Sequence, residues 1–231
     1  IIMYKTQRTV MAFLALVAFI SFGQTVKADE YDETSVRIAY NMNVIGRGIS
    51  GYYSFNRALP ASLSQLIEEG WVPRGLLNPY TGGMIAEDSM DGEIGGYAIL
   101  PVGQSAVELV FYKADVPMVS TYDMEHLSGN TAGLSEERYL AGLYVSWAKQ
   151  CLQAYERVTG EIPQSIADLE GMDFWPFAGL ANLYSGAPMR FDSLDVGDMY
   201  WEFTGESVVF RIWLDPRPGA IRSGMGFQYP L

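Results

Sequence analysis

Two clusters of acidic side chains have the clearest potential for chemistry. They comprise Glu87, Asp88, Asp91 and Glu93 in the first half of the chain, and Asp192, Asp195 and Asp198 in the second half. Calcium takes about six to eight oxygen ligands, and acidic loops often supply them. The candidate calcium ligands are Asp88, Asp91, Asp192 and Asp195. Two other interpretations stay open, because such acids also cap the backbone N–H groups of turns, and a pair of carboxylates serves as acid and base in glycosidases.

The composition limits which other sites the chain can form. It has 231 residues, with a single histidine, His126, and a single cysteine, Cys151. A zinc site with several histidines, a disulfide within the chain and a CxxC pair are therefore excluded. The net charge of -12 argues against nucleic acid as a partner, since binding to phosphates requires a basic surface. The apolar fraction of 49% permits a packed core.

Residues 1–28 have the pattern of a secretory signal peptide. Two basic residues precede an apolar run over residues 10–22, which is short for a membrane span of about 20 residues. Val26 and Ala28 then supply the small side chains of a cleavage site. We expect cleavage after Ala28 and a periplasmic or extracellular protein. The alternative is an uncleaved segment that anchors the protein in the inner membrane, with its domains outside the cytoplasm.

The chain contains the same sequence unit twice. With a nearly constant offset, Pro60, Trp71, Asn78, Tyr80 and Gly82 align with Pro163, Trp175, Asn182, Tyr184 and Gly186. The two acidic clusters also align with each other. These ordered matches indicate a tandem duplication.

The two units have the same predicted elements. Apolar side chains at helical spacing predict a long helix at about 31–57 and another at about 134–159. A short helix, a loop and two alternating strands follow in each unit. We therefore predict an α+β fold of two tandem domains, each with a long helix packed on a small antiparallel sheet. The predicted boundaries are 29–115 and 134–215 for the domains, 116–133 for a polar linker and 216–231 for an irregular tail.

A glycine pattern in the first long helix matches the GxGxxG phosphate-binding motif. Gly46, Gly48 and Gly51 have this spacing, but a dinucleotide site requires a strand before the motif and a helix that starts at it. The second unit has Cys151 and Ala154 at the positions of Gly48 and Gly51. We interpret these positions as small residues that let the helix approach its sheet closely.

The combination of these elements resembles a known family. A long helix, the sequence LPASLSQL at 59–66, the sequence NPYTG at 78–82 and a small antiparallel sheet together resemble the periplasmic headpiece of type IV pilins and type II secretion pseudopilins. The resemblance implies an α+β headpiece with a structural or assembly role, and it supports calcium in the acidic loops, since some pseudopilins bind calcium there. The prepilin cleavage pattern and the polymerising stem are missing from residues 9–28, so membership of a filament is not inferred.

These observations lead to one expectation about function and one alternative. We expect an exported bacterial protein that is not an enzyme and has a structural, adhesive or secretion-associated role. Its partner would be an unidentified protein or cell-surface component, and calcium is the possible cofactor. The alternative is a periplasmic or secreted hydrolase, or a carbohydrate-binding protein, that uses the acidic loops.

Overall fold

The described elements come in the same order in both halves of the chain. The computed structural model describes residues 32–85, 94–125, 135–204, 207–214 and 224–230. Its helices and strands are α1 Glu33–Asn56, α2 Leu63–Glu68, β1 Tyr97–Val102, β2 Ala106–Phe111, β3 Met118–Asp123, α3 Glu136–Thr159, α4 Ile166–Glu170, β4 Met199–Phe203, β5 Ser207–Trp213 and β6 Gly224–Pro230. Within the described residues, each half has a long helix, a short helix and three antiparallel strands. The predicted α+β class is therefore confirmed.

Local signals explain where the long helices begin and end. α1 starts after Asp32, whose carboxylate accepts the N–H of Thr34 at 3.2 Å. α3 starts after Ser135, whose hydroxyl accepts the N–H of Arg138 at 3.4 Å. These caps satisfy N–H groups that have no partner within the helix. Gly160 ends α3 with a φ of 71°, in the left-handed region that glycine adopts without strain.

The two long helices pack against each other in antiparallel orientation. The ring of Phe55, near the end of α1, lies 6.2 Å from the ring of Tyr139, near the start of α3. Tyr40, in the first half of α1, lines a narrow groove together with Ala154 from the second half of α3. α1 also packs on β2, and α3 packs on β5 and β6. The two predicted domains therefore share one buried core within the compact unit Tyr31–Leu231.

Each sheet buries one face against the helices. The strands of the first sheet lie in the order β1, β2, β3, with Tyr97 opposite Phe111. Those of the second sheet lie in the order β4, β5, β6, with Ile212 opposite both Met199 and Met225. Side chains alternate between the two faces of a strand. Tyr97, Phe111 and Ile212 consequently lie in the core, where they are fully buried.

The structure corrects the predicted linker at 116–133, because β3 lies within it. β3 pairs with β2 along its whole length, from Phe111 opposite Met118 to Ala106 opposite Asp123. It is an edge strand, and its side chains are exposed or half-buried. The sequence of this segment therefore lacks the strong apolar alternation that identifies a strand. The backbone hydrogen bonds to β2 nevertheless stabilise it as a strand.

The structure also corrects the irregular tail predicted at 216–231, because β6 lies within it. The glycine content suggested irregular backbone, yet Phe227 stacks on Phe210 with ring centroids 5.6 Å apart. Gly226 is a packing requirement, since a side chain there would overlap the carbonyl oxygen of Phe210. β6 is an edge strand of the second sheet, where a proline at the strand terminus is tolerated.

The predicted signal peptide, residues 1–28, lies outside the described residues. Cleavage after Ala28 and the periplasmic or extracellular location therefore stay predictions. Among the described helices, none has both the length and the apolar character needed to cross a bilayer.

Candidate functional site

The NPYTG segment of the first half forms a loop held together by Asn78. The side-chain oxygen of this buried asparagine accepts the N–H of Tyr80 at 2.9 Å and the N–H of Thr81 at 3.2 Å. Its amide nitrogen donates to the carbonyl of Ile94 at 3.1 Å. Its backbone carbonyl accepts the N–H of Gly82 at 2.9 Å. The asparagine thus closes the turn and attaches it to the residues that lead into β1.

The second half repeats this geometry at Asn182. Its side-chain oxygen accepts the N–H of Tyr184 at 2.9 Å and the N–H of Ser185 at 3.0 Å. Its amide nitrogen donates to the carbonyl of Val196 at 3.0 Å, and Gly186 donates to its backbone carbonyl at 3.0 Å. The aligned asparagines are therefore structural residues that fix the loop against the start of a strand.

A glycine before the sheet makes room for each asparagine. Gly95 has a φ of 86° and Gly197 a φ of 83°. A Cβ atom would come within 2.5 Å of Cγ of Asn78 at the first position and within 2.9 Å of Cγ of Asn182 at the second. Both the positive φ and the close approach require glycine. The sequence alignment of the two halves did not identify this pair, because the residues between loop and strand differ in number.

The second acidic cluster forms a network around Arg190. Nε of Arg190 donates to the carboxylate of Asp198 at 2.8 Å. Its terminal nitrogen donates to Ser193 at 2.7 Å and forms an ion pair with Asp195. The carboxylate of Asp198 also accepts a hydrogen bond from Asn182 at 2.7 Å. The arginine therefore joins the acidic loop to the loop of Asn182.

Asp198 is the buried member of this network. Its side chain is 4% exposed, whereas that of Arg190 is 55% exposed. Burial acts to raise the pKa of Asp198, but hydrogen bonds from Asn182 and Arg190 outweigh it, so the pKa lies below its ordinary value. The hydrogen bond to Asp198, followed by the one to Asp195, raises the pKa of Arg190. Asp198 therefore stays ionised, and its charge is balanced within the protein.

The predicted calcium ligands have different positions in the two halves. Asp88 and Asp91 lie outside the described residues, so calcium at the first cluster stays a prediction that melting with calcium and then with chelator tests. In the second half, Asp192 is exposed and its backbone pairs with Tyr200, while Asp195 pairs with Arg190. Nowhere in the described part of the chain do three or more metal-ligating side chains come together.

The GxGxxG pattern lies in the middle of α1, without the preceding strand that a dinucleotide site requires. A Cβ atom at Gly48 would lie 2.6 Å from the carbonyl oxygen of Trp71. One at Gly51 would lie 3.2 Å from the ring of Tyr139 in α3. The glycines do permit close packing, as we predicted. The surfaces approached at these two positions are the segment after α2 and the other long helix. A Cβ atom at Gly46, in contrast, would overlap the hydroxyl of Tyr122 in β3, so this glycine does let the helix approach its sheet as predicted.

One feature of the second sheet was missed from the sequence. Arg211 and Trp213 are two residues apart on β5 and line a surface hollow with Gly226 and Gln228 of the neighbouring strand. The alternation of buried and exposed side chains along β5 places Arg211 on the outer face. The signal that could have identified the hollow is Trp213, a large aromatic residue on that same face. Its neighbours from β6 could not be foreseen, because that strand was not predicted.

The comparisons with known proteins leave the family of this chain open. Searches of protein-family models, of curated proteins and of solved structures find no match to the chain.

Proposed function

We propose that the chain is an exported, non-enzymatic protein made of two pilin-like units in tandem, with a structural, adhesive or secretion-associated role. The observation that carries this proposal is the repeated asparagine loop. Asn78 and Asn182 make corresponding hydrogen bonds inside their loops, and each loop lies between a short helix and an antiparallel sheet. This supports the view that the NPYTG element, on which the family resemblance rests, is part of the scaffold.

The segment before each loop also supports the proposal. Ser62, from the LPASLSQL sequence, caps α2 by accepting the N–H of Gln65 at 3.0 Å. In the second unit the carboxylate of Asp168 accepts the N–H of Ser165 at 2.8 Å, at the start of α4. Both sequence segments that resemble the pilin headpiece therefore stabilise local structure, one at the start of a short helix and one in a loop, and both do so in each half.

The acidic cluster of the second half favours a non-enzymatic role. A glycosidase requires one carboxylate that acts as an acid and a second that acts as a base or nucleophile. In this cluster Asp195 and Asp198 both bind Arg190, and Asp198 is buried. Hydrogen bonds from Asn182 and Arg190 lower the pKa of Asp198, so this carboxylate is poorly suited to donate a proton near neutral pH.

Cell fractionation combined with mass spectrometry of the N-terminus tests the export. We expect the chain in the periplasmic or extracellular fraction, beginning near Asp29. A full-length chain in the membrane fraction would support the anchor instead, and an unprocessed chain in the cytoplasm would contradict export altogether.

A capture experiment from the same fractions tests the role. The chain with an affinity tag at its C-terminus should retain an envelope or cell-surface component. The purified chain should have no hydrolase activity on a panel of oligosaccharides and peptides. Turnover that disappears in the D88N/D91N double variant would overturn the proposal in favour of an enzyme.

A further inference from the structure

The outer face of the second sheet differs chemically from its buried face. Three strands are paired there, with Arg211 of β5 between Tyr200 of β4 and Gly226 of β6. In the next row on the same face, Val209 lies between Glu202 and Gln228. Aromatic, charged and amide side chains therefore lie side by side on a rigid sheet, a support that holds a binding site well.

A hollow of about 340 Å³ lies on this face, over β5 and β6. Its volume is within the range of roughly 300–1,000 Å³ typical of sites for small ligands. Gly226 has no side chain and contributes only backbone to the hollow. Arg211, Trp213 and Gln228 line the hollow around it. A flat ligand can therefore approach the backbone of β6 while contacting these three side chains.

The polar groups at the hollow are available to a ligand. Arg211 is exposed, and among the described residues it forms no ion pair. The amide nitrogen of Gln228 donates to the hydroxyl of Ser207 at 3.0 Å, which sets the orientation of the amide. Its carbonyl oxygen is then the group that can accept a hydrogen bond from a ligand hydroxyl. Glu202 lies opposite Val209, in the row next to Arg211.

We propose that this hollow binds an acidic saccharide. A sugar ring would lie over Gly226 against the indole of Trp213, its carboxylate would take paired hydrogen bonds from Arg211, and a hydroxyl would donate to Gln228. The guanidinium matches a carboxylate with two parallel hydrogen bonds, and aromatic rings supply apolar contact to one side of a ligand. The inference adds a ligand class to the proposed function. It rests on that function only for the location outside the cytoplasm, where the protein would meet an acidic saccharide.

Direct binding by the purified protein tests the site separately from export. Calorimetric titration with tetragalacturonate, which carries carboxylates, is compared with maltotetraose, which carries none. We expect binding of the acidic oligosaccharide only. R211Q should weaken this binding roughly ten- to a hundredfold, because it removes charged hydrogen bonds, and R211K should recover part of the affinity.

The control is R74Q, which makes the same change of charge at an exposed arginine of the first half. It should bind like the unchanged protein. W213F should fold and bind more weakly, and its thermal melt separates loss of the site from loss of the fold. The inference is overturned if maltotetraose binds as tightly as tetragalacturonate, if neither binds at millimolar concentration, or if R74Q and R211Q lose the same affinity. Failure of export with retained binding would overturn the proposed function alone.

Discussion

The loops of Asn78 and Asn182 have the same internal hydrogen bonds but different surroundings. Asn182 donates to the carboxylate of Asp198 as well as to a backbone carbonyl. In the first half, Gly96 occupies the position of Asp198. Each of these two residues directly follows a glycine that has a positive φ and packs on the asparagine of its own half. The asparagine loop therefore does not require the acid. The ion pair with Arg190 is an addition specific to the second half.

This difference separates the structural role of the loops from the role of the acidic clusters. The first unit has Ala86 at the position of Arg190 in the sequence alignment, so its four acids have no arginine at this place. In the second unit the arginine supplies the positive charge that a metal ion would otherwise provide. If calcium binds to this protein, the first cluster is consequently the better candidate. Equal roles for the two clusters, as the duplication alone suggested, are not expected.

The largest effect should come from removing the asparagines. Asn78→Ala deletes three side-chain hydrogen bonds and should lower the free energy of unfolding by about 2–3 kcal/mol. Asn182→Ala deletes four and also takes a donor from buried Asp198, so we expect about 3–4 kcal/mol. Urea denaturation followed by tryptophan fluorescence measures both.

The aspartate variants provide the matched control for this comparison. Asn78→Asp and Asn182→Asp keep the acceptor oxygens and lose the donor. Only the second places a carboxylate directly beside Asp198, so it should be the more harmful of the two. Equal losses in the two halves would mean that the contact between Asn182 and Asp198 contributes nothing to stability.

The next effect concerns the close contacts that two glycines of α1 make. Gly48→Ala would place a methyl group against the carbonyl of Trp71, and backbone cannot move away easily, so we expect a loss of about 1–3 kcal/mol. Gly51→Ala has its nearest atom at 3.2 Å, on the side chain of Tyr139. The higher helix propensity of alanine, about 1 kcal/mol, should offset that contact. Two equally stable variants would contradict the close approach at Gly48.

Much of this fold could be predicted because its signals are local. Helical spacing placed α1 and α3 within about two residues of their ends. β3 was missed because its side chains are exposed or half-buried and show no regular apolar alternation. β6 does alternate at Met225, Phe227 and Tyr229, but the surrounding glycines and prolines led to the interpretation as an irregular tail. The antiparallel packing of the helices was not foreseen, since the sequence does not show which small residues face the other half.

The site was harder to predict than the fold for a related reason. The acids of the second cluster were recognised as a group, but their interaction with Arg190 depends on how the loop folds back on itself. The hollow beside Arg211 combines residues from two strands, and one of these had been interpreted as an irregular tail. In both cases the missing information is pairing between distant residues, which composition and periodicity do not encode.

A smaller effect should appear in the pH dependence of stability. The pKa of Asp198 is lower in the folded protein than its ordinary value of about 3.9. Its ionised form therefore stabilises the fold above that ordinary pKa, and this stabilisation is lost as the pH falls through the lower, folded value. Asp198→Asn should reduce stability at pH 7 by about 1–2 kcal/mol and should converge with the unchanged protein at the acidic end. Parallel curves from pH 7 to pH 2 would show that Asp198 has no depressed pKa.

The smallest effect should distinguish the caps of the two short helices. Ser62→Ala removes the cap of α2 and should cost about 1 kcal/mol. Ser165→Ala should cost less, because the carboxylate of Asp168 still accepts two N–H groups, those of residues 164 and 165, each at 2.8 Å, whereas Gln65 in α2 accepts only the N–H of Ala61 at 2.9 Å. Threonine at either position retains a hydroxyl and should restore most of the loss. Urea denaturation of the four variants gives the comparison, and an equal cost of the two alanine substitutions would show that Asp168 does not compensate for the missing serine.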